Sequence, residues 1–379
     1  MKVAIVHYWL VRMRGGEQVL EALCELFPQA DIHTHVFDPA AVSETIRRHP
    51  VHTSFIQRLP GARRWYQKYL PLMPIALEQM DLRGYDLVIS VESGPAKGVI
   101  VPPDATHVCY CCTPMRYLWD MVHDYRENAG FLTRWVTPIL THYLRLWDQA
   151  SAARVDRFVA SSSYVAARIR KYYRREATVI PPPVDTGAFR PARERDDFYL
   201  MVGQLVGYKR TDLAIEAFRR LDRRLVIIGA GAEFGRLRAK AGPNVTLMGY
   251  QSPEVLRDHY GRCRALIFPG KEDFGIVPVE AMAAGKPVIA YHRGGVRDSV
   301  VDGKTGVFFD AQTPDALIEA VRRFESLEAH FVTEEIVRHA RQFDRRVFKE
   351  RMEKFIQESL RGEEERGTRS LSKNLTHRC

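Results

Sequence analysis

Residues 264–309, RALIFPGKEDFGIVPVEAMAAGKPVIAYHRGGVRDSVVDGKTGVFF, decide the fold of this chain. The apolar run RALIF predicts a strand that ends at Pro269, and IVPVEAMAA predicts a helix that begins near Ile276. Two more apolar runs, PVIAY and GVFF, predict strands that follow this helix. Short apolar strands that alternate with helices are typical of βαβ units, in which the strands are parallel.

The same alternation extends outward through both halves of the sequence. In the second half, FYLMVGQL, RLVIIGAG and NVTLMGY predict strands, and TDLAIEAFRRL predicts a helix. The first half opens with the strand KVAIVHYW, a Gly15-Gly16 turn and the helix EQVLEALCELF. Further strands are predicted at YDLVISVES, THVCYCCT and RFVASSS. We therefore predict an α/β protein with two Rossmann-like, doubly wound parallel-sheet domains.

Proline and charge patterns predict the domain boundaries. Three consecutive prolines in VIPPPVDTGAFRP, residues 179–191, interrupt the alternation of strands and helices. We place an N-terminal domain at 1–182 and a C-terminal domain at 186–340. Residues 361–379 are polar with almost no apolar side chains, and we predict that they form a disordered tail.

Composition excludes several classes of protein. Of the 379 residues, 46% are hydrophobic and 27% are charged, which excludes a disordered or collagen-like chain. No run approaches the ~18–20 apolar residues of a membrane-spanning helix. The apolar N-terminus predicts a core strand rather than a signal peptide. The six cysteines form no pair of CxxC units, so we expect buried free thiols and no metal site. These features predict a cytoplasmic protein.

The positive charge is concentrated in the first half. The net charge is +10; residues 134–175 carry nine basic and two acidic side chains, and residues 55–80 carry four basic and one acidic. Both segments interleave aromatic and aliphatic residues, as in FIQRLPGARRWYQKYL. This combination predicts peripheral docking on an anionic membrane surface, and a solvated helix face is the alternative. Nucleic acid is not an expected partner, because no nucleic-acid-binding motif is present.

The loop KEDFG predicts a ligand site in the second domain. Ligands of parallel sheets bind at the carboxyl ends of strands, and a helix N-terminus at that place suits a diphosphate. Gly275 lets the backbone approach the phosphates. Glu272 lies in the loop and Glu280 about one turn into the helix, so their carboxylates can accept hydrogen bonds from sugar hydroxyls. The alternative is an acidic helix cap at Glu272 and a solvated Glu280.

Several motifs in order resemble one enzyme family. EDFGIVPVE resembles the E-x7-E signature of retaining glycosyltransferases of family 4, and MVGQLVGYKRTDLAIEAF resembles the start of their second domain. YCCTPMRYLWD is similar to a motif of bacterial polysaccharide mannosyltransferases. The resemblance implies the GT-B fold, two Rossmann-like domains facing a cleft, and a helix at about 343–360 that crosses back to the first domain.

The resemblance also implies a role for each matching residue. Glu272 and Lys209 would be the catalytic residues, with Glu272 on the hydroxyls of the transferred sugar and Lys209 on the diphosphate. Glu280 would bind the ribose of the nucleotide. Further donor contacts are implied for Gly15, Gly16, Arg210, Phe274, Gly275 and Ile276. Acceptor-side candidates are Cys112, Arg116 and Asp120.

Two positions depart from the family's pattern. Gln204 stands where many relatives have an arginine, so one cation near the diphosphate is missing unless Arg210 replaces it. Cys112 stands where relatives often have a histidine, which puts the role of that position in doubt. A nucleophilic or metal-binding Cys112 is a weaker alternative.

The predicted activity is that of a retaining hexosyltransferase without cofactor or metal. By resemblance, it transfers mannose from GDP-mannose to a lipid-linked oligosaccharide or polysaccharide acceptor, in cell-surface glycan synthesis on the cytoplasmic face of the inner membrane. A UDP-sugar donor is the nearest alternative, and a non-catalytic nucleotide-sugar-binding protein at the membrane surface is another. Another enzyme with two Rossmann-like domains, such as a sugar-nucleotide epimerase or a dehydrogenase, is a further alternative, and the dehydrogenase is disfavoured because no GxGxxG follows the first strand.

Overall fold

The chain forms two compact units. The computed structural model describes the backbone of residues 1–120 and 131–376 and the side chains of 1–120 and 137–361. Unit 1 comprises Met1–Pro182 and Phe348–Cys379, and unit 2 comprises Pro183–Val347. Within the described residues no helix is long and apolar enough to cross a membrane.

Unit 1 contains a parallel sheet with the order β3-β2-β1-β4-β5-β6-β7. Its strands are β1 Val3–His7, β2 Asp31–Thr34, β3 Val51–Thr53, β4 Leu87–Glu92, β5 Thr106–Cys111, β6 Arg157–Ala160 and β7 Ala177–Val179. Its α-helices before residue 182 are α1 Gly15–Leu26, α2 Glu44–Arg47, α3 Ala62–Trp65, α4 Met73–Glu78, α5 Arg116–Trp119, α6 Phe131–Ala153 and α7 Ser163–Tyr173. The four strands predicted here are confirmed, and β2, β3 and β7 are additional.

Unit 2 contains a second parallel sheet with the order β10-β9-β8-β11-β12-β13. Its strands are β8 Tyr199–Val202, β9 Leu225–Ile228, β10 Val245–Gly249, β11 Leu266–Phe268, β12 Val288–Tyr291 and β13 Gly306–Phe309. Its α-helices are α8 Thr211–Leu221, α9 Phe234–Lys240, α10 Pro253–Arg262, α11 Ile276–Ala283, α12 Val296–Ser299, α13 Pro314–Leu327 and α14 Thr333–Ala340. Every strand predicted for this half is present, so the prediction of two Rossmann-like domains is confirmed.

The strand order reverses once in each sheet. In unit 1 the reversal falls between β1 and β4, and in unit 2 it falls between β8 and β11. All residues of β1, β4 and β5 are buried, because helices cover both faces of a parallel sheet. The connections after the two neighbouring strands leave in opposite directions and open a crevice at their carboxyl ends. These two reversal points are therefore the expected places for ligands.

The last helix, α15, spans Arg345–Thr376 and packs on unit 1. Phe348, Met352 and Ile356 lie on one side of it and are buried in the same core as β1 and β4. The Phe348 ring meets the edge of Tyr110 at 5.6 Å between centroids. The backbone of this helix continues to Thr376, and Glu, Arg, Lys and Leu in this stretch have high helix propensity. Disorder of the tail at 361–379 stays a prediction.

The prediction of buried free thiols is confirmed for the cysteines in the cores. Cys24, Cys109, Cys111 and Cys263 are buried and form no disulfide, and Cys112 is half-buried. Burial raises the pKa of Cys109 and Cys111, so these thiols stay protonated and act as small apolar groups. Cys379 lies outside the described residues.

Candidate functional site

Lys209 and Glu272 meet at the strand-order reversal of unit 2. Lys209 ends a short 3-10 turn that follows β8, and Glu272 lies in the loop that follows β11. Their side chains form an ion pair and are only 14% and 19% exposed. Lys209 is not in the first turn of a helix, because α8 begins at Thr211. The sequence predicted separate roles for these two residues, and the structure brings them into direct contact.

Glycines hold the two loops close together. A Cβ atom on Gly270 would lie 3.0 Å from Lys209 Cα, so the loop after β11 contacts the turn after β8 through bare backbone. On the other side, Gly295 N donates to Glu272 O at 2.9 Å. Gly294 has a φ of +84°, and a Cβ there would lie 2.3 Å from Glu272 O. Sequence reasoning missed these three residues, although the Gly-Gly pair after PVIAY is a visible signal of close backbone approach.

The N-terminus of α11 is built as predicted. Gly275 precedes the helix with a φ of 93°, which favours glycine, and no side chain caps the helix. The alternative of Glu272 as an acidic cap is therefore wrong. Ile276 is the first helical residue and is half-buried. Phe274 was predicted to contact the donor, but its ring is buried 5.7 Å from that of Phe343, so its side chain belongs to the core.

Glu280 lies in α11 and is bonded to a residue that the sequence did not identify. Tyr260 Oη in α10 donates to Glu280 Oε2 at 2.7 Å. Burial raises the pKa of Glu280, and the hydrogen bond from Tyr260 opposes this shift. The side chain is half-buried, so the alternative of a solvated Glu280 is wrong. Tyr260 orients the carboxylate that was predicted to bind a ribose.

Gln204 stands where many relatives have an arginine, and Arg210 was the cation expected to replace it. Arg210 has a left-handed backbone with a φ of 54°, and its Nε lies 3.3 Å from the carboxylate of Asp212. Gln204 is exposed and carries no charge. The cation that contacts Glu272 is thus Lys209, while Arg210 contacts an acidic residue of α8.

Gly15 and Gly16 lie at the strand-order reversal of unit 1. They were predicted to form a turn, but they are the first two residues of α1. The Glu17 carboxylate accepts a hydrogen bond from the backbone N–H of Arg14 at 3.0 Å. This bond gives the residue before the first turn a hydrogen-bond partner and favours the start of the helix at Gly15. A Cβ on Gly16 would lie 2.7 Å from Tyr8 Oη, so a larger residue there would have to displace the buried Tyr8 side chain. The helix thereby presents bare N–H groups at the carboxyl edge of the sheet.

Unit 1 holds the three acceptor-side candidates on one loop after β5. Cys112 is fixed by its backbone: its N donates to Glu92 O at 2.8 Å, and its O accepts from Ser161 at 2.9 Å. Arg116 is the first residue of α5 and is half-buried. Asp120, just after α5, forms an ion pair with Arg168 and accepts a hydrogen bond from Tyr172, both in α7.

Comparison with known proteins identifies the family. The model named Glycosyltransferase Family 4 matches residues 13–188, and the model named Glycosyl transferases group 1 matches residues 188–343. The chain belongs to the family 4 glycosyltransferases. Among solved structures, Anabaena HepE in complex with UDP aligns with a TM-score of 0.69 at 14% identity, covering 94% of this chain and 100% of that one. At that identity the likeness shows the GT-B fold alone.

Curated relatives carry glycosyltransferase names. The D-inositol 3-phosphate glycosyltransferase of Geodermatophilus obscurus is 32% identical over 209 residues, or 46% of each chain. The GDP-mannose-dependent alpha-(1-6)-phosphatidylinositol monomannoside mannosyltransferase of Mycobacterium tuberculosis is 31% identical over 192 residues, or 42% of this chain and 50% of that one. The chain spans about half the length of the curated relatives it matches.

This family 4 chain also contains a buried charge cluster that the sequence did not reveal. Lys97, in the turn after β4, is fully buried; its Nζ lies 2.7 Å from Glu92 Oε1 and also pairs with Asp148 of α6. Burial would lower the pKa of Lys97, but the two carboxylates raise it, so the ammonium stays charged. Asp148 also accepts from Trp119 at 2.7 Å and from Tyr173 at 2.9 Å. The cluster thus ties β4 to α5, α6 and α7, which carry and flank the acceptor-side loop.

Replacing Lys97 with methionine tests this cluster. The variant leaves two carboxylates in the core without their cation, and we expect unfolding free energy to fall by about 3–5 kcal/mol. Burial raises the pKa of Glu92 to about 7 even with Lys97 opposing it. Because protonation relieves the unpaired charges, the loss should be smaller at pH 5 than at pH 8. Urea denaturation measures both values; exposed Lys68→Met is the control, and equal stability of the two variants would contradict a structural role for Lys97.

Proposed function

We propose that this chain is a retaining, metal-independent hexosyltransferase. It transfers mannose from GDP-mannose to a lipid-linked oligosaccharide in cell-surface glycan synthesis, on the cytoplasmic face of the inner membrane. The observation that carries the proposal is the Lys209–Glu272 ion pair beside the uncapped N-terminus of α11. The cation and the N–H groups suit the diphosphate of a nucleotide sugar, and the carboxylate at the same reversal point suits the hydroxyls of its sugar.

Donor binding begins with a change of partner at Lys209. The diphosphate binds at the N-terminus of α11, where the N–H groups and the helix dipole favour an anion. Its charge competes with Glu272 for the Lys209 ammonium. Glu272, released from the ion pair, accepts hydrogen bonds from the sugar hydroxyls, and Glu280, held by Tyr260, accepts from the ribose.

The chemical step needs no protein nucleophile. The bond between the anomeric carbon and the leaving phosphate oxygen breaks as the acceptor oxygen bonds to the same face of that carbon, which retains its configuration. The acceptor proton passes to the leaving phosphate. Lys209 and the α11 N–H groups stabilise the negative charge that develops on the diphosphate.

Two separate substitutions test the roles proposed for Glu272 and Lys209. Glu272→Gln keeps the shape of the side chain but removes the charge that accepts hydrogen bonds from the sugar and pairs with Lys209. Because the contact with the sugar is weakened, transfer should fall by about 10²–10³-fold, the usual cost of one transition-state contact. Binding of GDP should stay equal or become tighter, because its competitor for Lys209 is gone. Lys209→Met should weaken both transfer and GDP binding. Transfer assays measure the activity of each variant and calorimetry measures its affinity for GDP, with exposed Glu216→Gln as the control. Full transfer activity in Glu272→Gln would contradict the catalytic role of Glu272.

The choice of GDP-mannose is supported by the motif YCCTPMRYLWD and by the relative named as GDP-mannose-dependent. The solved HepE complexes with UDP and with UDP-glucose favour a UDP-sugar as the second candidate donor. Calorimetric titration of the chain with both nucleotides separates the two. We expect GDP to bind about tenfold or more tightly than UDP, a difference of about 1.4 kcal/mol. Tighter binding of UDP would contradict the GDP-mannose assignment.

Membrane docking is supported by apolar side chains exposed on the two basic segments. Trp65, Ile75 and Leu146 are exposed, and Ile139 is 75% exposed. Exposed Arg63, Arg64 and Lys68 lie in the same chain region as Trp65. Exposed apolar groups among cations suit an anionic lipid surface, where each cation contributes about 1 kcal/mol.

Vesicle flotation tests the docking proposal. The chain should float with phosphatidylglycerol-containing vesicles at low salt and be released by high salt, since salt screens the attraction. Ile139→Ser with Trp65→Ser should lower the floated fraction severalfold through the lost apolar contacts, whereas Val332→Ser in unit 2 should not. A chain that stays in the soluble fraction at low salt would refute docking.

A further inference from the structure

We propose that an apolar cavity in unit 1 binds the hydrocarbon chain of a phosphate-bearing acceptor lipid. The cavity has a volume of about 290 Å³. Its walls include Trp9, Leu70, Tyr117, Leu118, Leu140 and Leu144. The binding of a hydrocarbon follows from these walls, and only the identification of that lipid as the acceptor rests on the proposed function.

Two polar side chains of the cavity wall bond to neighbouring residues. Tyr117 Oη donates to Met115 Sδ at 2.8 Å, and Thr141 Oγ1 donates to Pro138 O at 3.1 Å. Among the residues whose side chains the structure describes, none that lines the cavity carries a charge. Gln67, the remaining long polar side chain of the lining, is exposed to solvent. A cavity with mostly apolar walls gains free energy when apolar groups fill it.

One face of α6 lines the cavity. Thr137, Leu140, Thr141 and Leu144 follow the three- and four-residue spacing of a helix face and line the cavity. Ile139 and Tyr143 lie outside this face and are large apolar side chains left exposed on the same helix. The helix that lines the cavity therefore also carries apolar groups that suit contact with a lipid phase.

Charge around the cavity selects an anionic head group. Exposed Lys68 lies in the 3-10 helix Tyr66–Leu72, which contributes Leu70 to the wall, and exposed Arg64 lies just before this helix. On the opposite side, Arg145 of α6 donates to Leu118 O at 2.8 Å. Cations on two sides of an apolar cavity complement a phosphate joined to a hydrocarbon chain. The volume is near the lower limit of ligand pockets, roughly 300 Å³, and so suits one chain rather than a helix of a partner protein.

The position of α5 favours the acceptor over bulk membrane lipid. Tyr117 and Leu118 line the cavity, Arg116 begins the same four-residue helix, and Asp120 follows it directly. A chain held against Tyr117 and Leu118 therefore places the attached phosphate and its sugar beside the acceptor-side candidates. Bulk lipid carries no sugar to be positioned beside these candidates, so the place of the cavity favours the acceptor.

A series of alkyl phosphates tests the cavity without any donor or turnover. Calorimetry on the full chain at low salt would compare inorganic phosphate with butyl, hexyl, octyl and decyl phosphate. We expect affinity to rise by about fourfold per added methylene until the cavity is full, as apolar burial predicts. Leu140→Trp and Leu70→Trp fill the cavity from two different elements and should each weaken decyl phosphate about tenfold, the cost of nearly two lost methylene contacts.

Gln149→Trp is the matched control, because it adds the same ring to an exposed position of α6 outside the cavity. It should bind decyl phosphate like the unchanged chain, and thermal melting shows whether each variant is folded. Affinity independent of chain length, or undiminished binding by both cavity-filling variants, would overturn the proposal. Competition by anionic vesicles that abolishes decyl phosphate binding would assign the cavity to bulk lipid and contradict the acceptor. The titrations need neither donor nor transfer, so a failure of the proposed transferase activity would not change their outcome.

Discussion

The Lys209–Glu272 ion pair at the reversal of strand order in unit 2 is the contact on which the proposed chemistry depends. The two residues are 63 positions apart in sequence and meet because β8 and β11 are neighbours. Gly270 and Gly294 remove the side chains that would otherwise separate the loops. In the proposed mechanism an incoming diphosphate competes with Glu272 for Lys209, and the partial shielding of the pair from water strengthens both interactions.

Unit 1 follows the same topological rule with a different chemistry. Gly16 brings the N-terminus of α1 against the end of β1, and the neighbouring strand β4 ends in Glu92 and is followed by buried Lys97. Here the opposite charges are wholly buried and bonded to several helices, so they fix the shape of the surrounding loops rather than bind a ligand. In the proposed enzyme, the buried cluster around Lys97 holds the acceptor-side loop in place, and the Lys209–Glu272 pair exchanges partners when the donor binds.

The sequence predicted most of the fold because the central strands are long, apolar runs. It missed β2, β3 and β7, whose sequences DIHT, VHT and ATV are short and rich in polar residues, so that only pairing with neighbours defines them. The spacing of Glu272, Gly275 and Ile276 predicted the loop and helix correctly. It contained no information on distant partners, and therefore missed the bonds of Lys209 to Glu272 and of Tyr260 to Glu280 and the inward direction of Phe274.

A crystal structure of the chain with an intact nucleotide sugar tests the central claim most directly. The account predicts that Lys209 Nζ leaves Glu272 and lies within about 3 Å of a diphosphate oxygen, with the phosphates at the N-terminus of α11 and Glu272 on the sugar hydroxyls. A diphosphate bound elsewhere, with the Lys209–Glu272 pair unchanged, would contradict it.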